Sequence, residues 1–436
     1  MSAELDTSNA PPARAGARAW VILWILCFIY VLNFLDRQLL SILAKPIQDT
    51  LHLTDGQLGL IGGLYFALFY CLISIPVGWL ADKVSRSRIL ATACALWSLA
   101  TIACGLSANY PQLVASRMAV GIGEAGGVPP SYSIISDYFA KGRRGTALSI
   151  FNLGPPIGQA LGVAIGASVA AAFGWRYAFI LVGAVGVCAA LLVLFIVPEP
   201  RRGGLDAAKS VTAKDAPPGF WSTLKMFVSN PALMLAALGS GSIQIVTYGG
   251  GNFATLLLMR EKGMTLSQVA LYYALVIGVF MSGGIFVSGR VIDRFTRRSK
   301  VAYAVIPALS LVLAAPLYLG FILAPAWPLA LALLAGPTAL NYFYLSSSVA
   351  LVQDEVRPDQ RVLCGALLLL VMNLIGLGVG PTLVGAASDW LRAHHHPHSL
   401  QLAFLGLMPF YAVAILLFLA LAHVLRRSDT ISRRDA

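Results

Sequence analysis

Residues 78–86 read Gly78-Trp-Leu-Ala-Asp82-Lys83-Val-Ser85-Arg86, and residues 289–297 read Gly289-Arg-Val-Ile-Asp293-Arg294-Phe-Thr296-Arg297. The second copy starts 211 residues after the first (289 − 78 = 211), and at that same offset Thr54 and Gln57 recur as Thr265 and Gln268. Each copy ends a long apolar run. A charged membrane-exit turn that returns after half the chain marks two similar bundles fused head to tail, as in many membrane transporters.

The rest of the chain agrees with that reading. Of its 436 residues 58% are hydrophobic and only 11% charged, and the mean hydropathy is +0.77. Soluble domains are far more polar. Apolar runs long enough to cross a hydrocarbon core of roughly 30 Å fall at 19–45, 56–81, 88–108, 111–137, 144–172, 176–197, 231–259, 267–292, 300–323, 327–353, 360–389 and 400–425. The expected fold is an all-α membrane protein of twelve transmembrane helices in two pseudo-symmetric six-helix bundles. Its segments are a disordered tail over 1–18, bundles over 19–198 and 231–425, a Pro-rich cytoplasmic linker over 199–230 and a short tail over 426–436.

A net charge of +12 raises the question of nucleic acid. The distribution answers it. Nearly all the Lys and Arg outside the spans, from Arg14 and Arg18 through Lys83, Arg143, Arg201 and Arg297 to Arg426 and Arg434, fall on one side. The other side holds Lys45, Arg176, Arg260, Lys262 and Arg392. This is the positive-inside bias, which puts both termini in the cytoplasm and accounts for the basicity by topology. No cleavable signal precedes the first run, which is long and carries Asp36 and Arg37 towards its far end.

Several chemistries are excluded. Cys27, Cys71, Cys94, Cys104, Cys188 and Cys364 lie within the spans at no disulfide or zinc spacing and read as small packing residues. No Gly-x-x-x-x-Gly-Lys-Ser/Thr loop is present to hold a nucleotide. Gly121-Ile-Gly123-Glu-Ala-Gly126 spells a dinucleotide fingerprint, but it lies inside an apolar run with no strand before it. His394-His395-His396-Pro397-His398 reads as a solvated loop rather than a metal site. No constellation supports nucleophilic catalysis, so the expectation is a non-enzyme without metal or cofactor.

Charges inside the bilayer are costly, and so they are functional candidates. The first span carries Asp36 and Arg37 and the fourth carries Arg117 and Glu124. Arg117, Gly121 and Glu124 follow at i, i+4 and i+7 and share a helix face. At ~1.5 Å per residue, Arg117 and Arg37 lie about 9 and 12 Å deep, and Asp36 and Glu124 about 13 and 20 Å. All four can meet in one layer of the N-terminal bundle. A carboxylate beside an arginine there can exchange its proton as the surroundings open and close, which is the chemistry of a proton-coupling site. A static ion-pair network is the plain alternative.

The second bundle has no equivalent acid: position 247, which answers to Asp36, is Thr247. Its intramembrane polar residues are neutral, among them Gln244, Thr247, Tyr248, Asn252, Asn341, Tyr342 and Asn373. A charged half facing a half of hydroxyls, amides and apolar groups makes an amphipathic cavity, fit for a substrate with a polar head and an apolar body. Asn33 joins these as a candidate contact. Gly154, Gly158, Gly162 and Gly166 form a ridge on the fifth span, answered by Gly376, Gly378, Gly380 and Gly385 on the eleventh. Both suit close helix contact, either static or at a sliding interface between the halves. In the repeated turns, Asp82 or Asp293 is placed to hold Lys83, Arg86, Arg294 or Arg297 in one state and release them in another.

The paired Gly-x-x-x-Asp-Lys/Arg turns, with Arg117-x-x-x-Gly121 in the fourth span, resemble the signature loops of the major facilitator superfamily, over about residues 19–425. Within it, Asn33-Phe-Leu-Asp36-Arg37, Gly121-Ile-Gly123-Glu124-Ala125 and Asn373-Leu-Ile-Gly376-Leu-Gly378-Val-Gly380-Pro381, with Ser388-Asp389, resemble motifs of the spinster-like transporters. That resemblance implies proton-linked movement of lysophospholipids or sphingoid lipids such as sphingosine-1-phosphate. Asp36 and Glu124 would be the protonatable pair, modulated by Arg37 and Arg117. The chain departs from the pattern at Ser85 and Thr296, where the turns usually carry glycine. It departs again at Gly126-Gly127-Val128-Pro129-Pro130, where animal spinster proteins place a Ser-Tyr run.

The expected activity is therefore proton-coupled transport of an amphipathic, lipid-like substrate by alternating access, from a monomer in a bacterial inner membrane. A proton-linked carrier of small organic anions stands as the alternative. An uncoupled scramblase or transporter-like receptor stands as a third reading, of a different class.

Overall fold

The computed structural model describes residues 16–81, 83–139, 141–200, 220–357 and 360–432. These are predominantly helical, with no strand among them. Eleven helices are long and apolar enough to cross a bilayer: Ala17–Ile42, Asp55–Gly78, Arg86–Leu106, Thr146–Phe173, Trp175–Ile196, Pro231–Arg260, Leu266–Thr296, Ala302–Leu323, Trp327–Glu355, Leu363–Ala393 and Ser399–Arg427. The remaining span, the fourth, is two helices end to end, Tyr110–Glu124 and Val128–Tyr138. A turn over Ala125, Gly126 and Gly127 separates them, and Pro129 and Pro130 begin the second, where proline lacks no needed donor.

The internal repeat is visible at atomic level. Thr54 Oγ1 accepts from Gln57 N at 3.2 Å while Gln57 Oε1 accepts from Thr54 N at 3.0 Å. Thr265 and Gln268 form the same capping box at 3.3 and 2.9 Å. Each box satisfies two backbone donors that the first turn of a helix would otherwise leave bare. The second and eighth spans therefore start alike, and both run towards the face that carries the start of the first span and the end of the last. That face is called proximal below and the opposite one distal.

The two halves meet in their distal portions. On the second span, a Cβ at Gly59 would collide with the backbone oxygen of Pro381, and one at Gly63 would lie 2.8 Å from Thr382 Oγ1 on the eleventh. Leu64 N donates to Thr382 Oγ1 at 3.3 Å. The related contact of the eighth span with the fifth brings a Cβ at Gly278 to 3.2 Å from that of Ala160. Between the first and seventh spans, Ser41 Oγ donates to Gly251 O at 2.7 Å. Proximally the repeat glycines Gly78 and Gly289 have nothing within 4 Å of an added Cβ. The distal seam is tight, and these two proximal glycines face open space.

The glycine ridge of the fifth span does not line this seam. Gly154 faces Tyr30, Gly158 faces Val31 and Phe34, Gly162 faces Leu35 and Gln38, and Gly166 faces Leu39, all on the first span of the same half. Close packing within one bundle is what the ridge provides, so its sliding-interface reading is corrected. The eleventh span divides its glycines instead. Gly376 and Gly380 face Gln244, Ile245 and Gly249 of its own half, while Gly378 and Gly385 face Ala67, Leu64, Asp55 and Gly56 of the other.

The connection between halves is partly helical: Phe220–Ser229 precedes the seventh span and hydrogen-bonds through Thr223 to Gln360 at 3.4 Å. The rest of the expected linker, 201–219, lies outside the described residues, as do residues 1–15 of the expected tail. The last helix continues beyond residue 425, to Ser432.

Candidate functional site

The first and fourth spans bring the four intramembrane charges together as two crossed ion pairs. Arg37 Nε lies 2.5 Å from Glu124 Oε2, and Arg117 Nη1 lies 3.5 Å from Asp36 Oδ2. Asp36 and Glu124 are 1% exposed and Arg117 2%. The third span adds Thr101, whose hydroxyl donates to Asp36 Oδ1 at 2.8 Å. Close helix approach makes this possible: a Cβ at Gly121 would sit 2.9 Å from Phe66 O, and one at Gly123 2.6 Å from Trp97 N. Both glycines keep the fourth span against the second and third, so the charges on its face reach the first.

The pairs are not saturated. Glu124 Oε1 and Arg117 Nε are buried with no hydrogen-bond partner among the described residues, as are both polar atoms of Asn33's side chain. Aromatic faces complete the surroundings of the cations. Arg37 Cζ lies 5.0 Å from the ring centre of Phe34, 5.2 Å from Phe66 and 4.9 Å from Tyr70, and Arg117 Cζ lies 5.3 Å from Phe66. Tyr248 comes from the seventh span into electrostatic range of Arg37 and Glu124. A low-dielectric site of near-zero net charge results.

Beside it, a cavity of about 80 Å³ open volume enters the second half. Thr247, Asn341 and Tyr342 line it together with Tyr318, Phe321 and Phe404. Gln38 and Gln159 reach it from the first half, joined to each other at 3.1 Å. Asn341 exchanges hydrogen bonds with Tyr411 at 2.9 and 3.1 Å, and Asn252 Nδ2 donates to Tyr248 O at 3.0 Å. Gln244 is buried under Gly376, and Asn373 is half-buried on the eleventh span; neither lines this cavity. Of the candidate substrate contacts, then, Thr247, Asn341 and Tyr342 meet at one cavity. Asn33, Gln244, Asn252 and Asn373 lie apart from it.

The repeated turns differ from one another. In the first copy Arg86 is 4% exposed and anchors its own half, at 2.6 Å to Asp137, 2.8 Å to Glu199 and 2.6 Å to Ser133. Asp82 lies outside the described residues. In the second copy Gly289, Asp293 and Arg294 lie within a helix that continues to Thr296, with Asp293, Arg294 and Arg297 exposed. The expected turn begins only after Thr296, because nothing in Val291-Ile292-Asp293-Arg294-Phe295 breaks a helix.

Sequence reasoning missed the charge cluster that joins the halves distally. Asp55, fully buried at the start of the second span, takes Arg260 at 2.8 and 2.9 Å, Gln48 at 2.6 Å and Ser388 at 2.7 Å, and it also pairs with Arg392. Asp389 in turn accepts from the backbone N–H of Asp55 and Gly56 at 3.0 and 2.7 Å. The available signal was an acid directly after the N-cap Thr54 with two basic residues, Arg260 and Arg392, on the same side. Burial of Asp55, not its position in sequence, gives it importance.

With this geometry in place, comparison with known proteins is decisive. The sequence profile described as "Major Facilitator Superfamily" matches residues 26–362. The chain belongs to the major facilitator superfamily. Among members of that superfamily it is 33% identical to an "MFS-type efflux pump" of Mycolicibacterium smegmatis, over 89% of each chain. It is 28% identical to "Protein spinster homolog 1" of Mus musculus, covering 87% of this chain and 75% of the mouse protein. A crystal structure of a bacterial homologue of the human lysosomal transporter spinster, inward-facing and unoccupied, superposes with a TM-score of 0.86 at 27% identity. The superposition covers 94% of this chain and 98% of that one. The protein is a spinster-related, multi-pass transporter of the superfamily working by alternating access, and it is not an enzyme.

Proposed function

We propose that the protein couples proton movement to transport of an amphipathic, lipid-like substrate of the lysophospholipid or sphingoid type. The observation that carries this reading is the pair of crossed, buried ion pairs Asp36–Arg117 and Arg37–Glu124. Removing the charge of either acid by protonation frees an arginine, and a freed buried arginine must find another anion or a wetter setting. An anionic head group on the substrate supplies the former, and reorientation of the halves the latter. The neighbouring cavity, apolar with hydroxyl and amide groups, suits part of the substrate body.

In this reading residues 19–198 and 231–425 rock as two bodies joined by 199–230, with the proximal face and both chain ends in the cytoplasm of a bacterial cell. The sealed distal seam is then the outer gate, and Gly78 and Gly289 lie where the inner gate forms. The protein acts as a monomer, with the proton as its only coupling ion and no cofactor.

The paired arginines support a second reading, a proton-linked carrier of small organic anions bound by Arg37 or Arg117. Flux of a lysophospholipid in proteoliposomes, with and without a proton gradient, tests both. Gradient-driven flux that is lost in Asp36→Asn or Glu124→Gln is the expected result. No lipid flux, with small carboxylates transported instead, selects the second reading. Lipid flux indifferent to gradient and to both substitutions indicates an uncoupled scramblase and overturns coupling.

A further inference from the structure

We propose that Phe66 is a positioning residue of the charge site, its ring keeping Arg37 on Glu124 and Arg117 on Asp36. This rests on the proton-coupling reading given above. Phe66 is 2% exposed on the second span, and its ring centre lies 5.2 and 5.3 Å from the two guanidinium carbons.

The crossed pairing fixes the partners, but the orientation of each guanidinium needs a further explanation. Arg37 adjoins Asp36 in sequence yet binds Glu124, and Arg117 shares a helix face with Glu124 yet binds Asp36. Helix geometry selects the partners, since i, i+1 neighbours do not face each other and Arg117 and Glu124 lie about 10 Å apart along their helix, but it leaves open how each guanidinium is oriented. Hydrogen bonding does not fully fix them either, since Arg117 Nε and Glu124 Oε1 lack partners among the described residues. The Phe66 ring faces both cations, and an aromatic face attracts a guanidinium strongly where water is excluded. Its own place is rigid, because its carbonyl meets the fourth span at Gly121, midway between Arg117 and Glu124. Tyr70, one turn on, stacks on Phe66 with ring centres 5.8 Å apart and adds a second face for Arg37 at 4.9 Å.

The remaining titratable or polar groups around the site come from each neighbouring element. Thr101 and Cys104 face it from the third span, Cys71 from the second, Tyr248 from the seventh and Tyr30 from the first. Beside Asp36 and Glu124 the site holds no further carboxylate among these groups. The two acids therefore titrate against arginines whose positions Phe66 holds.

Infrared titration of the protonated-carboxyl stretch tests this on the purified full-length protein in nanodiscs, with no substrate required. Asp36→Asn and Glu124→Gln assign the bands. Phe66→Leu is expected to move the titration midpoint by about one pH unit or more, and Phe66→Tyr to restore it. Phe66→trifluorophenylalanine, which keeps the shape of the ring but weakens its negative face, is expected to move it likewise. A purely structural role would leave that variant like wild type. It also carries the test should Phe66→Leu fail to fold. An unchanged midpoint in the fluorinated variant, against a titrating wild type, overturns the role of Phe66 alone. A wild type whose carboxyls do not titrate overturns the coupling reading and this proposal with it.

Discussion

Arg260 holds Asp55 across the two halves with both terminal nitrogens, Nη1 at 2.8 Å from Oδ2 and Nη2 at 2.9 Å from Oδ1. Asp55 is fully buried, whereas the Arg260 and Arg392 side chains are 25% and 48% exposed. Both arginines converge on this one acid, while Asp389 separately accepts from the backbone N–H groups of Asp55 and Gly56.

Asp55→Asn is expected to release the distal seam. Breaking a buried pair costs about 3–5 kcal/mol, and partial exposure of both arginines reduces that to about 2 kcal/mol here, or roughly 30-fold in the balance between states. Spin labels on the distal ends of the second and eleventh spans should show a longer distance population. An unchanged distribution would remove Asp55 from the gate.

Glycines on the two kinds of seam should behave differently. Gly158→Val strikes the first span within one half and should lower thermal stability by about 1–3 kcal/mol without favouring either state. Gly59→Val strikes the eleventh span of the other half, at Pro381. It should open the distal side, with less loss of stability. Thermal unfolding and cysteine accessibility, measured together on both variants, distinguish these outcomes.

The crossed ion pairs should show strong coupling. Arg37→Met leaves Glu124 buried without its cation and should cost about 3–5 kcal/mol, and Glu124→Gln should recover most of it in the double variant. A double-mutant cycle on thermal stability measures this. Additive effects would mean that the pair at 2.5 Å is energetically idle.

The network at Arg86 predicts an acid-side loss of stability. Burial opposes ionisation of Glu199, but the Ser87 N–H, the Arg86 guanidinium and the Ser85 hydroxyl outweigh it and hold the carboxyl below its ordinary 4.5. A depressed acid contributes stability that is complete above its unfolded value and lost as pH falls through the folded one. Wild type should thus exceed Glu199→Gln in melting temperature at pH 7, and the gap should close as pH falls below the ordinary 4.5 and through the lowered folded value. A gap that persists in acid would assign the effect to packing.

Much of the architecture was legible because membrane burial writes itself as long apolar runs, and the duplicated Thr-x-x-Gln and Gly-x-x-x-Asp patterns mark equivalent helix starts and ends. The proximity of Asp36, Arg37, Arg117 and Glu124 followed from depth counting, since rise per residue is fixed in a helix. Which acid pairs with which arginine was not drawn, because that depends on how the first and fourth spans are rotated towards each other. Asp55 stayed hidden for a related reason. An acid beside a helix N-cap is ordinarily solvated, and only the approach of the eleventh span buries it. The ridge from Gly154 to Gly166 announced close packing but not its partner, as spacing along one helix does not name the helix opposite.

The helix Phe220–Ser229 is bound to the second half through Thr223 and Gln360. At the other end of the connection, Glu199 and the carbonyl of Pro200 are held to the first half by Arg86. Each terminus of the joining segment is thus moored to its own body, so each half carries its own end of the connection with it. Recognition resides in the seam itself, in Asp55, Gly59, Thr382 and their neighbours. Two polypeptides, one ending at Pro200 and one starting at Phe220, are expected to assemble through this seam, and their co-purification from the membrane would check it.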